Sequence, residues 1–237
     1  MPVLQTFITV YALFFIAFAF YFWLLYSRQK VENKLSIKYG FSKANILYVG
    51  LEKFAGFVLM LILPLFALQI MGLYEPEALG VAFIYPQKIA LWWGIFGAIV
   101  LTVNIIRAGK PANYSLYPQI RTGAWPVSLL GYYIFGWAIY LLGYEFLFRG
   151  ILFFAGIEIL PLWLNITINC ILYAVAHLPK GRLEIIASLP FGVVLCLVSY
   201  YTGSFWAAWL IHLTLALSNS MVAIYANPQM KIDWKKF

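Results

Sequence analysis

The chain has 237 residues, 64% of them hydrophobic and 10% charged, with a net charge of +8. Soluble domains carry roughly 25% charged residues, so this composition excludes an ordinary water-soluble fold. The lysines and arginines fall between long apolar runs, which reads as membrane topology rather than as a nucleic-acid surface.

The first run, about 4–26, has no basic start, is too long for the apolar core of a signal peptide and ends in Ser27-Arg28-Gln29-Lys30 without a small-residue cleavage site. It is expected to be a retained helix. The segment 27–53 carries Arg28, Lys30, Lys34, Lys38, Lys43 and Lys53, and is basic and partly amphipathic, which suits the membrane surface. Further helical runs are predicted at about 54–73, 89–106, 127–160, 162–178, 184–202 and 204–226, several of them near the ~20 residues that cross a ~30 Å hydrocarbon core.

Arg107, Lys110 and Arg121 make a second basic segment over 107–126. Basic segments favour the cytoplasmic side, which puts the amino terminus, Glu75 and Glu77 outside. Seven crossings then place Lys180, Arg182, Lys231, Lys235 and Lys236 inside as well. The run 127–160 would be about 51 Å long as one helix, so it is expected to tilt, to start along the interface or to break at Gly136 or Gly143; a break into two crossings would give eight helices. The expected fold is an all-α polytopic transmembrane bundle of seven or eight helices. It divides into amino-terminal membrane helices over 1–110, a core over 125–226 and a basic tail over 227–237. A bacterial inner membrane is the expected location.

Few ionisable residues remain at membrane depth: Glu145, Arg149, Glu158, His177 and His212. An unpaired charge there costs a few kcal/mol or more, so such residues point to function with a partner. Glu158 is near enough to the end of its run to reach the interface. Glu145 and Arg149 stand at i and i+4, the spacing of a helical ion pair, either as a salt bridge locking helices or as a positioned carboxylate. His177 and His212, the two histidines of the chain, read singly as packing residues; with Glu145 they make a group suited to activating water or holding a metal. Cys170 and Cys196 lie in apolar runs without zinc-type spacing and read as small buried thiols. The Asn-x-Ser/Thr matches at Asn113 and Asn165 read as chance, the second being inside a membrane run.

These residues resemble the CPBP family of intramembrane proteases, the Abi or CAAX-processing family that includes type II prenyl-protein endopeptidases. Its first motif, Glu-Glu-x-x-x-Arg before Gly, is here Tyr144-Glu145-Phe146-Leu147-Phe148-Arg149-Gly150. Its second, Phe-x-x-x-His, is Tyr173 to His177, and its third, His-x-x-x-Asn, is His212 to Ala216. The resemblance covers about residues 125–225. It implies hydrolysis of a peptide bond in or near the membrane, on a peptide or protein substrate and not on nucleic acid. Glu145 would polarise water beside His177, Arg149 would hold Glu145, and His212 would stabilise the oxyanion.

Two departures matter. Tyr144 replaces the acid thought to activate water, and a phenol with a reference pKa near 10 is a poor base at neutral pH. Ala216 replaces the amide that assists the oxyanion. Asn219 shares the face of His212 but lies about 10 Å further along the axis. Asn169 forms a stripe with Tyr173 and His177, and is expected to bond across helices rather than into the cavity. A divalent metal such as zinc is conceivable on Glu145, His177 and His212, although the HExxH pattern is absent. The competing reading is a degenerate member that binds, sorts or protects without cutting. A proton-coupled transporter fits less well, because no internal repeat is visible.

Overall fold

The computed structural model describes residues 2–107 and 116–234, without the side chains of 2–4; Lys110, Asn113, Lys235 and Lys236 lie outside the described residues. Among the described residues eight α-helices follow in order: α1 (Pro2–Tyr26), α2 (Arg28–Tyr39), α3 (Phe41–Ile70), α4 (Pro86–Ile106), α5 (Val127–Ile157), α6 (Leu162–Ala176), α7 (Arg182–Thr202) and α8 (Trp206–Ala226). Among the described residues six are long and apolar enough to cross a membrane: α1, α3, α4, α5, α7 and α8. The seventh apolar helix, α6, has 15 residues. The chain is thus an all-α, multi-pass integral membrane protein. Exposed Trp23, Phe66, Ile106, Phe135, Trp163 and Ile186 show why water is excluded as the surrounding solvent. Helices are the natural answer, because each satisfies its own backbone polar groups in lipid.

The third element departs from its expected start. It begins at Phe41, not at about 54, because Glu52 and Lys53 are 3% exposed inside the helix bundle rather than interfacial. Lys53 Nζ stands 3.5 Å from the Trp137 ring centroid and 4.1 Å from that of Tyr140, so two aromatic faces take the place of water around the ammonium. Of the basic segment 27–53, α2 has no buried residue among its twelve.

The long fifth helix does not break at either glycine. At Gly143 a Cβ would lie 3.2 Å from Gly56 O, so the glycine lets α3 and α5 touch backbone to backbone, as small residues do between membrane helices. The two helices run in the same direction: Gly50 meets Tyr132, Lys53 meets Gly136, and Gly56 meets Tyr140 and Gly143. Irregularity appears later, where Phe146–Phe154 widens into a π-helical stretch. Such widening disturbs the regular backbone ladder and is common at functional sites. Asn169 Nδ2 donates to Phe148 O and Asn165 Nδ2 to Phe153 O, each at 2.7 Å, so α6 covers two carbonyls of that stretch. Asn169 therefore bonds across helices, as expected of it.

Elsewhere polar pairs tie the helices. Tyr21 donates to Tyr140 between α1 and α5, Asn104 to Ser218 between α4 and α8, and Tyr133 pairs with Ser220 between α5 and α8. A two-stranded parallel ladder, β1 (Ala124–Pro126) with β2 (Lys231–Asp233), fastens the segment after α8 to the start of α5.

Candidate functional site

Glu145 ends the regular part of α5 immediately before the π-helical stretch and is completely buried. Its Oε1 accepts from His212 Nδ1 at 2.5 Å, and its Oε2 lies 3.0 Å from Arg149 Nη1. The guanidinium is also fully buried; none of its nitrogens has an aligned hydrogen-bond acceptor among the described residues, and its compensation comes from the carboxylate charge and from the Tyr173 ring, 4.5 Å away. The i, i+4 spacing has formed the ion pair it predicted.

His177 caps the end of α6, where its Nδ1 donates to Tyr173 O at 2.8 Å. A carbonyl accepts only, so this bond puts the ring proton on Nδ1 and leaves Nε2 with its lone pair. His212 has the same tautomer when neutral, its Nδ1–H being directed at Glu145. Both imidazoles line a cavity of about 410 Å³ together with Tyr144, Tyr140, Tyr21, Trp137 and Tyr117. A smaller cavity of about 60 Å³ adjoins the same two histidines and is lined by Phe191, Ala216 and Asn219.

The expectation that Glu145 faces this space beside the histidines is corrected. Glu145 is not among the residues lining either cavity. Its two oxygens point at Arg149 and His212, and on a helix the neighbouring residue diverges by about 100°, which turns Tyr144 toward the open space instead. Tyr173 is buried behind His177, with ring centroids 4.7 Å apart. Asn219 lines the small cavity alongside Ala216, while Asn169 is occupied at Phe148 O. Glu158 is exposed past the end of α5, consistent with an interfacial position.

Glu145, His177 and His212 do not converge as a metal site. Among the described residues no group of three His, Cys, Asp or Glu side chains is placed to hold a metal ion. Glu145 is the member that drops out, because one oxygen faces a cation and the other accepts a proton from His212.

Several cavity residues escaped the sequence reading. Arg28, Lys53, Arg121 and Lys180 line it with a single carboxylate, Glu52. Burial holds the Lys180 ammonium below the ordinary lysine pKa, with Glu184 and Glu52 acting in the opposite direction. Burial likewise raises the Tyr117 phenol. The adjacent charges Glu52-Lys53 within an apolar helix were the available signal, masked by the basic residues before them.

A membrane-embedded helical bundle has thus placed two imidazoles of fixed tautomer on one polar cavity, with a buried carboxylate–guanidinium pair behind them. Residues 124–218 match the family model described as type II CAAX prenyl endopeptidase Rce1-like, a stretch that contains all three motifs. Over this core the chain is similar to the CAAX-protease family, as the motif resemblance implied. No curated protein and no solved structure matches the chain.

Proposed function

We propose that the chain is an intramembrane endopeptidase-like hydrolase that cuts a peptide bond at a cavity on the cytoplasmic side, with its amino terminus outside. The observation that carries this reading is the shared cavity of His177 and His212, each with Nδ1 engaged and Nε2 left for chemistry. His177 Nε2 accepts a hydrogen bond from the attacking water and orients it. His212, oriented by Glu145, donates to the developing oxyanion when protonated, a kind of contribution worth about 3 kcal/mol per donor in hydrolases. Arg149 and Glu145 are positioning residues, since neither lines the space a substrate enters.

The test is cleavage of membrane-adjacent peptides by purified protein in liposomes, with and without chelator. Cleavage that resists chelation and disappears in His177→Ala supports the reading; a parent protein that cuts nothing opposes it. The second reading, a family member that binds without cutting, is favoured by Tyr144 and Ala216. It predicts that Tyr144→Glu creates activity where the parent has none, and that the parent still retains peptide.

A further inference from the structure

One carboxylate on the cavity wall is unused by the chemistry above. Glu52 lies on α3, outside the 124–218 stretch, is 3% exposed, and is the sole Asp or Glu among the residues lining the larger cavity. An acid at membrane depth is costly unless compensated. Lys53 supplies that compensation, with Nζ 3.4 Å from Glu52 Oε1 and its own place set by the Trp137 and Tyr140 rings.

Helix register puts Glu52 about one helical turn from the level of His177. On the α3 side, Lys53 meets Gly136 and Gly56 meets Tyr140, so Glu52 lies close to the level of Gly136 and about a turn from that of Tyr140. On the α6 side, Asn169 meets Phe148 and the Tyr173 ring stands 5.8 Å from that of Tyr144. One turn further along α6, which runs opposite to α5, His177 reaches the level of Tyr140. Tyr140 and Tyr144 line the cavity between them. The phenol at 144 thus stands where the family motif has an acid, and an acid stands across the same space on another helix.

We infer that Glu52 is a catalytic carboxylate of this cavity, acting with His177 on the attacking water in place of the acid missing at position 144. This rests on the hydrolytic reading. Water held between the two groups loses a proton to the Glu52 carboxylate as its oxygen bonds to the peptide carbonyl carbon, and the carbonyl π electrons move to oxygen. On collapse the C–N bond breaks, its electron pair stays on nitrogen, and Glu52 returns the proton to that nitrogen. The products are a carboxylic acid and an amine, and no other reactant is consumed.

The experiment measures kcat/KM for a membrane-adjacent peptide in the parent, Glu52→Gln, Glu52→Asp, Tyr144→Glu and Glu52→Gln/Tyr144→Glu, with the melting temperature of each as a folding control. The expected result is a loss of ~10²-fold or more in Glu52→Gln. Glu52→Asp retains part of the rate, and Tyr144→Glu restores cleavage to the Glu52→Gln protein. If the parent cleaves and a folded Glu52→Gln cleaves equally well, the role of Glu52 is overturned while the hydrolytic reading stands. If the parent is inert and Tyr144→Glu alone is active, Glu52 does not act as the acid and the binding reading replaces hydrolysis. If none of the five cleaves, both are overturned.

Discussion

His212 Nδ1 donates to Glu145 Oε1 at 2.5 Å, between α8 and the last regular turn of α5. The carboxylate therefore reaches the cavity through the imidazole. Residues that act as one unit give non-additive losses when removed together. Glu145→Gln and His212→Ala are each expected to lower kcat/KM, and the double variant to lose hardly more than His212→Ala alone. Steady-state kinetics of the three variants check this; fully multiplicative losses would mean that Glu145 has a separate role.

The same carboxylate is the counter-charge of a fully buried guanidinium. Removing one partner of a buried ion pair typically costs about 3–5 kcal/mol, because the other charge is left uncompensated. Glu145→Gln should therefore lower the melting temperature in detergent, and Glu145→Gln/Arg149→Met should recover much of the loss. Intrinsic tryptophan fluorescence during heating is a direct readout.

Gly143 sets how closely α3 approaches α5. In Gly143→Val the Cβ would stand 3.2 Å from Gly56 O, a backbone atom that yields only if the helices separate. Overpacking of this kind costs about 1–3 kcal/mol, and the separation also shifts Glu52 relative to Tyr140. Lower thermal stability is expected together with a raised KM, whereas Gly131→Ala, which meets nothing within 4 Å, should leave both unchanged.

Lys180 lies in the turn after α6, and burial depresses its pKa below 10.5. Between the lowered folded value and the ordinary unfolded one, the unfolded chain holds more protons, so stability rises as pH climbs through that window. Below the window the folded protein carries a poorly solvated ammonium. Lys180→Met should flatten the alkaline rise in melting temperature and raise the value at pH 7. Melting curves from pH 7 to 11 decide it.

The apolar runs were legible because lipid demands long uninterrupted hydrophobic helices, and seven of the eight helices coincide with such runs. The motif positions Tyr144, Glu145, Arg149, His177 and His212 were legible from type and spacing. What hydropathy could not convey is the direction a charged residue faces. Glu52 and Lys53 look interfacial in one dimension because the basic stretch precedes them, yet an internal polar cavity solvates them instead. The orientation of Glu145 was hidden for a related reason: a periodicity of 3.6 residues separates Tyr144 from Glu145 in angle but does not say which of the two meets the open space. The widened turn at Phe146–Phe154 left no clear mark either, since its released carbonyls are answered by asparagines some 12–21 residues away.

The cavity is lined on one side by Tyr144, His177 and His212 from the family-matched core, and on the other by Tyr21, Arg28, Glu52 and Lys53 from helices that precede it. The chamber is therefore a joint product of both halves of the chain: neither half encloses it alone, and an exchange of α1–α3 for those of another protein would remove Glu52 and Lys53 together with the wall they form.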